Sequence, residues 1–297
     1  MRCERCQEKA VSLQPPLCKQ HFDEFILETV KRTIERWNLI ENEERIVVAV
    51  SGGKDSLTTL DVLSRLGYQV HGLFINEGIR GYRRHSQEDL NKFCEDNGLS
   101  YTEVSFQEEF GFTLDEAVLT KKFHPCTTCG TLRRYLLNKH ANKYDIIATG
   151  HNLDDESQTI MINLFRANID LFPRLGPKTS PSKWFVKKIK PLYLLTEKQV
   201  LTYTLLRGIK TQFSECPYAT VSYRAALRES LNKYESEHPG TKRNIIEGYV
   251  KLKEHLPNKE NKDEQIKVCE NCGQASNERI CKACRITSEV SSAVDDM

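Results

Sequence analysis

Six consecutive residues, Ser-Gly-Gly-Lys-Asp-Ser at positions 51–56, form the segment of this chain best suited to bind a phosphate group. They directly follow the apolar run 45–50. Glycine lets the backbone turn tightly, and successive N–H groups at the start of a helix then point at an anion. A Walker loop would require glycine where Val48 stands and serine or threonine where Asp55 stands. The segment therefore predicts a phosphate-binding loop of another kind.

A second candidate site is the segment 150–156, which reads Gly-His-Asn-Leu-Asp-Asp-Glu and follows an apolar run at 144–149. Acidic residues in a first helical turn often serve only as caps. One acid is enough for capping, whereas magnesium binds through one or two carboxylates together with phosphate oxygens. We therefore expect Asp154 or Asp155 to share a magnesium ion with a bound nucleotide.

Two groups of potential zinc ligands lie near the two ends of the chain. In each group, pairs of ligands are separated by two residues, as in tetrahedral zinc sites. The groups are Cys3, Cys6, Cys18 and His21, and Cys269, Cys272, Cys281 and Cys284. Four protein ligands leave no open position, so both sites are expected to be structural. Unliganded cysteines are the alternative, but segments this poor in apolar residues need a metal to become ordered.

Three central cysteines, Cys126, Cys129 and Cys216, form a further candidate site. The first two are expected in a loop before a helix at 131–143, whose N-terminus would lower the pKa of their thiols. Three thiolates could hold a 4Fe-4S cluster with one iron open, although four cysteines is the usual number. The spacing is equally compatible with a third zinc site that includes His124, or with a redox pair that carries a persulfide.

The composition is typical of a globular intracellular protein. The chain has 297 residues, of which 39% are hydrophobic and 28% charged, and its net charge is +2. Nucleic-acid contacts must therefore come from local basic patches. No run approaches the roughly 18 apolar residues that span a membrane, and no signal core is visible at the N-terminus. We expect a cytoplasmic protein whose cysteines bind metals rather than form disulfides, with Cys94 as a core residue.

Strand-like and helix-like segments alternate along most of the chain. Apolar strands are predicted at 45–50, 69–75, 101–106 and 144–149, and helices at 22–37, 55–66, 84–96, 131–143 and 154–167. The alternation predicts a doubly wound parallel α/β sheet, which binds ligands at the carboxyl ends of its strands. The expected units are a zinc module 1–24, a linker helix 25–44, the main domain 45–215, a helical segment 216–264 with a polar linker at 258–264, and a zinc module 265–288.

The 51–56 loop is similar to the pyrophosphate loop of ATP pyrophosphatases, which activate a carbonyl or carboxyl group as an adenylate. Over nearly its full length, the chain resembles the tRNA 2-thiouridine synthetases of the TtuA/NcsA type, within the TtcA-like superfamily. The resemblance rests on both zinc modules, the loop, Cys-x-x-Cys-Gly at 126–130, Gly-His-Asn-x-Asp-Asp at 150–155 and Cys-Pro at 216–217. The paired zinc modules separate it from the 2-thiocytidine branch.

The resemblance implies two zinc ions, magnesium, and a 4Fe-4S cluster on Cys126, Cys129 and Cys216, and so favours the cluster over its two alternatives. Together with the three cysteines, Lys54, Asp55 and Arg133 are the implied catalytic residues. The implied ATP contacts, besides Arg133, are Ala49, Ser51, Gly53, Lys54, Asp55, Ser56, Ile75, Gly150 and Asp155. Some family members have lysine where Arg133 stands. Because arginine does not donate a proton near neutral pH, we expect Arg133 to stabilise phosphate charge.

The implied reaction is the ATP-dependent thiolation of a tRNA uridine, at the wobble position or in the T-loop, by a tRNA sulfurtransferase. The C2 oxygen becomes an adenylate and sulfur then replaces it. A ubiquitin-like protein thiocarboxylate or free sulfide is the implied sulfur donor, and a homodimer is the implied assembly. Two other functions remain open: a related enzyme that thiolates or amidates a small metabolite, and a zinc-containing nucleic-acid-binding protein without catalysis.

Basic segments at 80–84, 121–122 and 183–190 are candidate contacts for tRNA phosphates. The last of these also contains aromatic residues, which suit stacking on unpaired bases. An edge hairpin whose lysines guard a solvent-exposed face is its alternative interpretation. A second candidate patch consists of Arg224, Arg228, Lys242 and Arg243.

Overall fold

The computed structural model of the chain describes residues 1–41, 43–180, 182–211, 216–218, 223–256 and 266–295. The expected polar linker at 258–264 lies outside the described residues. Within them, no helix is both long enough and apolar enough to cross a membrane.

A five-stranded parallel sheet forms the centre of the fold, with the strand order β3-β2-β1-β4-β5. The strands are β1 Ile46–Val50, β2 Val70–Asn76, β3 Tyr101–Ser105, β4 Ile146–Ala148 and β5 Lys187–Ile189. The chain winds outward from β1 to β3 on one side and from β4 to β5 on the other. The predicted doubly wound fold is therefore confirmed, and its topological switch point lies between β1 and β4, where ligands of such sheets bind.

Helices cover both faces of the sheet. They are α1 Lys19–Trp37, α2 Lys54–Arg65, α3 Arg83–Asn97, α4 Phe106–Phe110, α5 Leu114–Leu119, α6 Pro125–His140, α7 Leu153–Phe165, α8 Glu197–Arg207, α9 Tyr223–Glu237, α10 Thr241–His255 and α11 Lys282–Asp295. A short 3-10 helix spans Ile169–Arg174. A two-stranded antiparallel ribbon, β6 Lys267–Val268 and β7 Ala275–Ser276, precedes α11.

Helix α6 begins earlier than the sequence predicts. The expectation that Cys126 and Cys129 lie in a loop is wrong, because the helix starts at Pro125 and both cysteines lie near its beginning. Proline suits the first helical position, since its fixed φ matches the helix and its missing N–H needs no partner there. His124 caps the helix by accepting a hydrogen bond from the Cys126 N–H.

The two terminal cysteine modules pack on opposite faces of the sheet. Side chains alternate between the faces along a strand. Val48 belongs to the apolar cluster that contains Cys18 of the N-terminal module. Val47 belongs to the cluster that contains Leu132 of α6 and Cys284 of the C-terminal module. The C-terminal module is thus docked against the helix that carries two of the central cysteines.

Candidate active site

The 51–56 loop is closed by its own hydroxyl groups. The Ser51 N–H donates to Ser56 Oγ at 3.0 Å, and Ser56 Oγ donates to the Gly53 carbonyl at 2.9 Å. Helix α2 then begins at Lys54. These contacts fix a turn between the end of β1 and the start of α2, which is the position expected of a phosphate-binding loop.

Two glycines are required by close approach of neighbouring backbone. Gly52 has a φ of +76°, and a Cβ there would lie 2.3 Å from the Ser86 carbonyl oxygen. A Cβ on Gly150 would lie 2.7 Å from the carbonyl carbon of Asp55. The segment after β4 therefore packs directly on the phosphate-binding loop, as expected for neighbouring strands of a parallel sheet.

Asp55 and Asp155 form an acidic pair at this junction. Asn152 donates to Asp55 Oδ1 at 2.9 Å and caps α7 by accepting from the Asp155 N–H at 3.1 Å. Burial, together with the nearby charge of Asp55, raises the pKa of Asp155 to about 6 despite a hydrogen bond from the Asn152 backbone. Two carboxylates that destabilise each other's charge are suited to share a cation.

Asp154 has a different role from its neighbour. Its carboxylate is buried, accepts from the Glu197 N–H at 2.8 Å and forms an ion pair with buried Lys242. Both carboxylate oxygens are thereby used in packing α7 against α8 and α10. The Asp155 side chain is 33% exposed and pairs with Arg224 at 3.4 Å, so of the two acids considered from the sequence it is the more accessible to a nucleotide.

Lys54 lies between two carboxylates, with Nζ 2.9 Å from Asp55 Oδ2 and 3.0 Å from Glu197 Oε1. Burial disfavours its charged form, but the two carboxylates outweigh this effect and raise the pKa of Lys54. The ammonium group is therefore positively charged at the N-terminus of α2.

A cavity of about 480 Å³ lies beside the loop. Seven of the expected ATP contacts line it: Ala49, Ser51, Asp55, Ser56, Arg133, Gly150 and Asp155. Gly53, Lys54 and Ile75 are not among the lining residues. His151 also lines the cavity, and burial lowers its pKa to about 4, so its imidazole is neutral at physiological pH. We call this space the ATP cavity.

Glu77 connects the loop to the central cysteines, a role that the sequence did not reveal. It is fully buried directly after β2 and pairs with Arg83 and with Arg133, whose Nε lies 3.2 Å from Glu77 Oε1. Arg83 also donates from Nη1 to the Ser51 carbonyl at 3.2 Å. The available signal was its position, since an acid directly after a parallel strand lies at the ligand-binding edge of the sheet.

The same carboxylate affects Cys129, whose Sγ lies 3.9 Å from Glu77 Oε1. Burial and the Glu77 charge raise the pKa of Cys129 to about 11, although nearby arginines oppose them. The expectation of a lowered thiol pKa is therefore wrong for Cys129 in the protein without a bound metal. Its burial outweighs the effect of the helix N-terminus.

The three central cysteines come from two neighbouring segments. Cys126 Sγ lies 3.7 Å from the carbonyl oxygen of Tyr218, two residues after Cys216. In the described part of the chain, only the two terminal quartets bring three or more potential metal-binding atoms within 4.8 Å of one another. Sulfurs bound to one zinc lie about 3.8 Å apart, given Zn–S bonds of about 2.3 Å. The three central sulfurs are not all within 4.8 Å of one another, so the structure shows no preformed third zinc site at these described residues.

The terminal quartets do have the spacing of zinc sites. At the N-terminus, Cys6 and Cys18 sulfurs are 3.6 Å apart, and His21 Nδ1 lies 3.3 Å from both Cys3 and Cys18. In the C-terminal quartet, the Cys269–Cys284 and Cys272–Cys281 sulfur distances are 3.9 and 3.8 Å. These values match the edges of a tetrahedron around one zinc ion.

The basic patches expected to bind tRNA are only partly available. Six of their members form ion pairs within the protein: Arg83 with Glu77, Arg84 with Glu88, Lys187 with Glu44, Lys190 with Glu156, Arg224 with Asp155, and Lys242 with Asp154. Arg83 and Lys242 are buried, so their assignment to RNA-binding patches is wrong. Residues 187–189 form the edge strand β5, which matches the alternative interpretation of the segment 183–190.

The fold and the loop define the class of protein. The family model for the PP-loop domain matches residues 22–235, so the chain belongs to the PP-loop family. This match confirms the resemblance to ATP pyrophosphatases.

Individual relatives narrow the class. The chain is 41% identical to the tRNA-5-methyluridine(54) 2-sulfurtransferase of Pyrococcus horikoshii, over 96% of the chain and 93% of the relative. It is 31% identical to the tRNA 2-thiolation protein NcsA of Haloferax volcanii, over 98% of the chain and 99% of the relative. The U34-tRNA thiolase NcsA from Methanococcus maripaludis, solved with its [4Fe-4S] cluster, has a TM-score of 0.83, 32% identity, and coverage of 97% of this chain and 96% of that one. The chain is thus a homologue of the tRNA 2-thiolation proteins, which confirms the resemblance to the TtuA/NcsA type.

Proposed function

We propose that this chain is an ATP-dependent tRNA sulfurtransferase that converts a uridine of tRNA to 2-thiouridine. One observation carries the proposal: the ATP cavity is lined by Ser51 and Asp155 from the loop side and by Arg133 from the helix that carries Cys126 and Cys129. The candidate nucleotide cavity therefore adjoins the helix that carries two of the central cysteines, and Gly130, next to Cys129, lines it. The names of the relatives support tRNA as the acceptor.

The loop residues would bind the triphosphate of ATP. Backbone N–H groups of the loop and the Lys54 ammonium stabilise the phosphate charges, while Asp55 and Asp155 would hold magnesium against the phosphate oxygens. The uridine C2 oxygen attacks the α-phosphorus, the bond to the leaving pyrophosphate breaks, and an O-adenylate forms. Sulfide from the donor then attacks C2, and AMP leaves with the original oxygen.

Arg133 would stabilise the negative charge that develops at the α-phosphate. Its ion pair with buried Glu77 fixes the direction of the guanidinium, and a group that is oriented before the reaction stabilises a transition state at little further cost. Proton donation is not required of it in this role.

The central cysteines would hold the 4Fe-4S cluster. Support comes from the M. maripaludis NcsA structure, which contains such a cluster. When bound through three cysteines, a cluster supplies a fourth iron that can accept a sulfur ligand. Cys126, Cys129 and Cys216 would thus place the sulfur beside the ATP cavity.

The T-loop uridine at position 54 is the preferred target, because relatives named for that position reach 41%, 36% and 34% identity. The wobble uridine is the second candidate, since the solved NcsA structure is that of a U34-tRNA thiolase. Structural zinc in both terminal quartets, a thiocarboxylate or sulfide donor, a homodimer and a cytoplasmic location complete the proposal. A relative from Aspergillus niger is named a cytoplasmic tRNA 2-thiolation protein.

Anaerobically purified protein, incubated with ATP, magnesium, sulfide and unmodified tRNA, tests the proposal. We expect pyrophosphate release that depends on tRNA and 2-thiouridine in the digested product, whose position is then mapped by nuclease fragments. Pyrophosphate release with a small metabolite alone would favour the metabolite enzyme. Binding of tRNA without ATP turnover would favour a non-enzymatic zinc protein.

A further inference from the structure

Two basic residues at the edge of the ATP cavity have no acidic partner among the described residues. Lys54 and Arg133 are neutralised by nearby carboxylates. In the part of the chain that the structure describes, neither Arg134 nor Lys188 has a carboxylate oxygen within 4 Å. Partial burial lowers the pKa of both side chains. The charge of Arg133 lowers the pKa of Arg134 further, and the charge of Arg134 lowers the pKa of Lys188 further. Two unpaired cations that repel each other are suited to bind an anion.

Arg134 and Lys188 also form the boundary between two cavities. Both line the ATP cavity, and both line a groove of about 440 Å³ between α6, residues 179–188 and the C-terminal cysteine module. We call it the module groove. Its volume lies in the range of roughly 300–1,000 Å³ that is typical of small-ligand sites. A ligand in the module groove can therefore reach the ATP cavity past these two cations.

The walls of the module groove suit a nucleotide. Asn138 lines it and has a buried Oδ1 that accepts no hydrogen bond from the described residues, so it can accept one from a ligand. Phe185 lines the same groove and is 39% exposed, which makes its ring available for stacking on a base. Thr179 and Ser180 add hydroxyl groups.

Lys188 lies on a strand that is not adjacent to the strand preceding the phosphate-binding loop. The phosphate-binding loop follows β1, whereas Lys188 lies on the edge strand β5, with β4 between them. Lys188 pairs in register with Ile147, on the sheet face that α6 covers. Because the loop and Lys54 already provide for ATP, the second cationic site is available for the acceptor.

We propose that Arg134 and Lys188 bind a backbone phosphate of the tRNA, and that the nucleotides beside the target uridine lie in the module groove. This proposal rests on the proposed thiolation of tRNA. It also gives the C-terminal module a function, since Gln274 and Ala275 form one wall of the groove. A phosphate of ATP is the other ligand that Arg134 and Lys188 suit, and the test distinguishes it from a tRNA phosphate.

The test uses Arg134→Gln, Lys188→Gln and the double variant, with an unmodified tRNA transcript and, separately, a non-hydrolysable ATP analogue with magnesium. Each substitution should weaken tRNA binding several-fold and reduce the slope of log K against log salt by about 0.7–0.9. Affinity for the ATP analogue should fall much less than affinity for tRNA, and thermal unfolding shows that the variants are folded. The KM for tRNA should rise with little change in kcat.

Lys187→Gln is the matched control, because this neighbour on the same strand is already paired with Glu44 at 2.8 Å. It should leave the salt slope of tRNA binding near that of the wild type. An unchanged slope in the double variant would overturn the proposal, and so would a loss of ATP affinity as large as the loss of tRNA affinity. If either of these results is obtained and the wild type still thiolates tRNA, only this inference fails. If the wild type does not thiolate tRNA, the proposed function fails.

Discussion

Glu77 Oε1 lies 3.2 Å from Arg133 Nε, and the carboxylate that makes this contact is fully buried. The same side chain pairs with Arg83, which donates to the Ser51 carbonyl of the phosphate-binding loop. One buried acid therefore connects the loop, the arginine that faces the ATP cavity and the start of the helix that carries Cys129. Its loss should affect stability and catalysis together.

Glu77→Gln should lower the free energy of unfolding by about 3–5 kcal/mol, because it leaves buried Arg83 without a charged partner. It should also reduce kcat more than ATP affinity, since Arg133 loses its orientation. Denaturant unfolding and steady-state kinetics measure the two effects. Glu88→Gln is the control, because Glu88 pairs with Arg84 on the surface and such pairs contribute at most about 1 kcal/mol. Equal stability of the two variants would contradict this role of Glu77.

Asp155→Asn should abolish turnover while the protein stays folded, because the substitution removes a carboxylate expected to hold magnesium. In magnesium-free buffer it should also stabilise the protein near neutral pH. Burial raises the pKa of Asp155 from its ordinary 3.8 to about 6, so the wild type loses stability as the pH rises through this interval. The stability advantage of the variant should be absent below about pH 4 and full above about pH 6. Thermal unfolding across this range checks the sign, and unimpaired turnover would refute the magnesium role.

Asp154→Asn should destabilise the protein near neutral pH, whereas Asp155→Asn should stabilise it. Asp154 and Lys242 are both buried, and removal of one partner leaves an unpaired charge in the interior. We expect a loss of about 3–5 kcal/mol in the free energy of unfolding at neutral pH, measured by denaturant titration beside Asp155→Asn. If Asp154→Asn were as stable as the wild type and also inactive, the assignment of magnesium to Asp155 rather than Asp154 would be wrong.

Local sequence predicted much of the fold and the outline of the site. The apolar strands, the glycine loop and the ligand spacing of the terminal quartets each arise from residues close together in the chain. The ion pairs of Glu77 and Lys242 were not recognised, because their partners come from other elements and become neighbours only in the folded protein. The start of α6 was placed too late, since Pro125 is a helix breaker in most contexts and a favourable first residue in this one.

The C-terminal quartet should prove structural. Cys284 and Leu132 share one apolar cluster, so loss of the metal would loosen the contact between the module and α6. Cys272→Ser should lower the zinc content by about one ion per chain and lower the melting temperature. Cys94→Ala, which changes a buried cysteine outside both quartets, should keep its full zinc content. Metal analysis and thermal unfolding check the two results; an unchanged zinc content in Cys272→Ser would contradict the site.

The metal content of anaerobically purified protein separates the three interpretations of the central cysteines. We expect about four iron and two zinc ions per chain, and we expect Cys216→Ala to lose the iron and keep the zinc. The reason is geometric: Tyr218, two residues after Cys216, contacts Cys126 in the first turn of α6, whereas the terminal quartets are complete without Cys216. About three zinc ions without iron would make the central cysteines a zinc site. A content of two zinc ions per chain without iron would contradict the cluster and would favour a persulfide on one of the central cysteines.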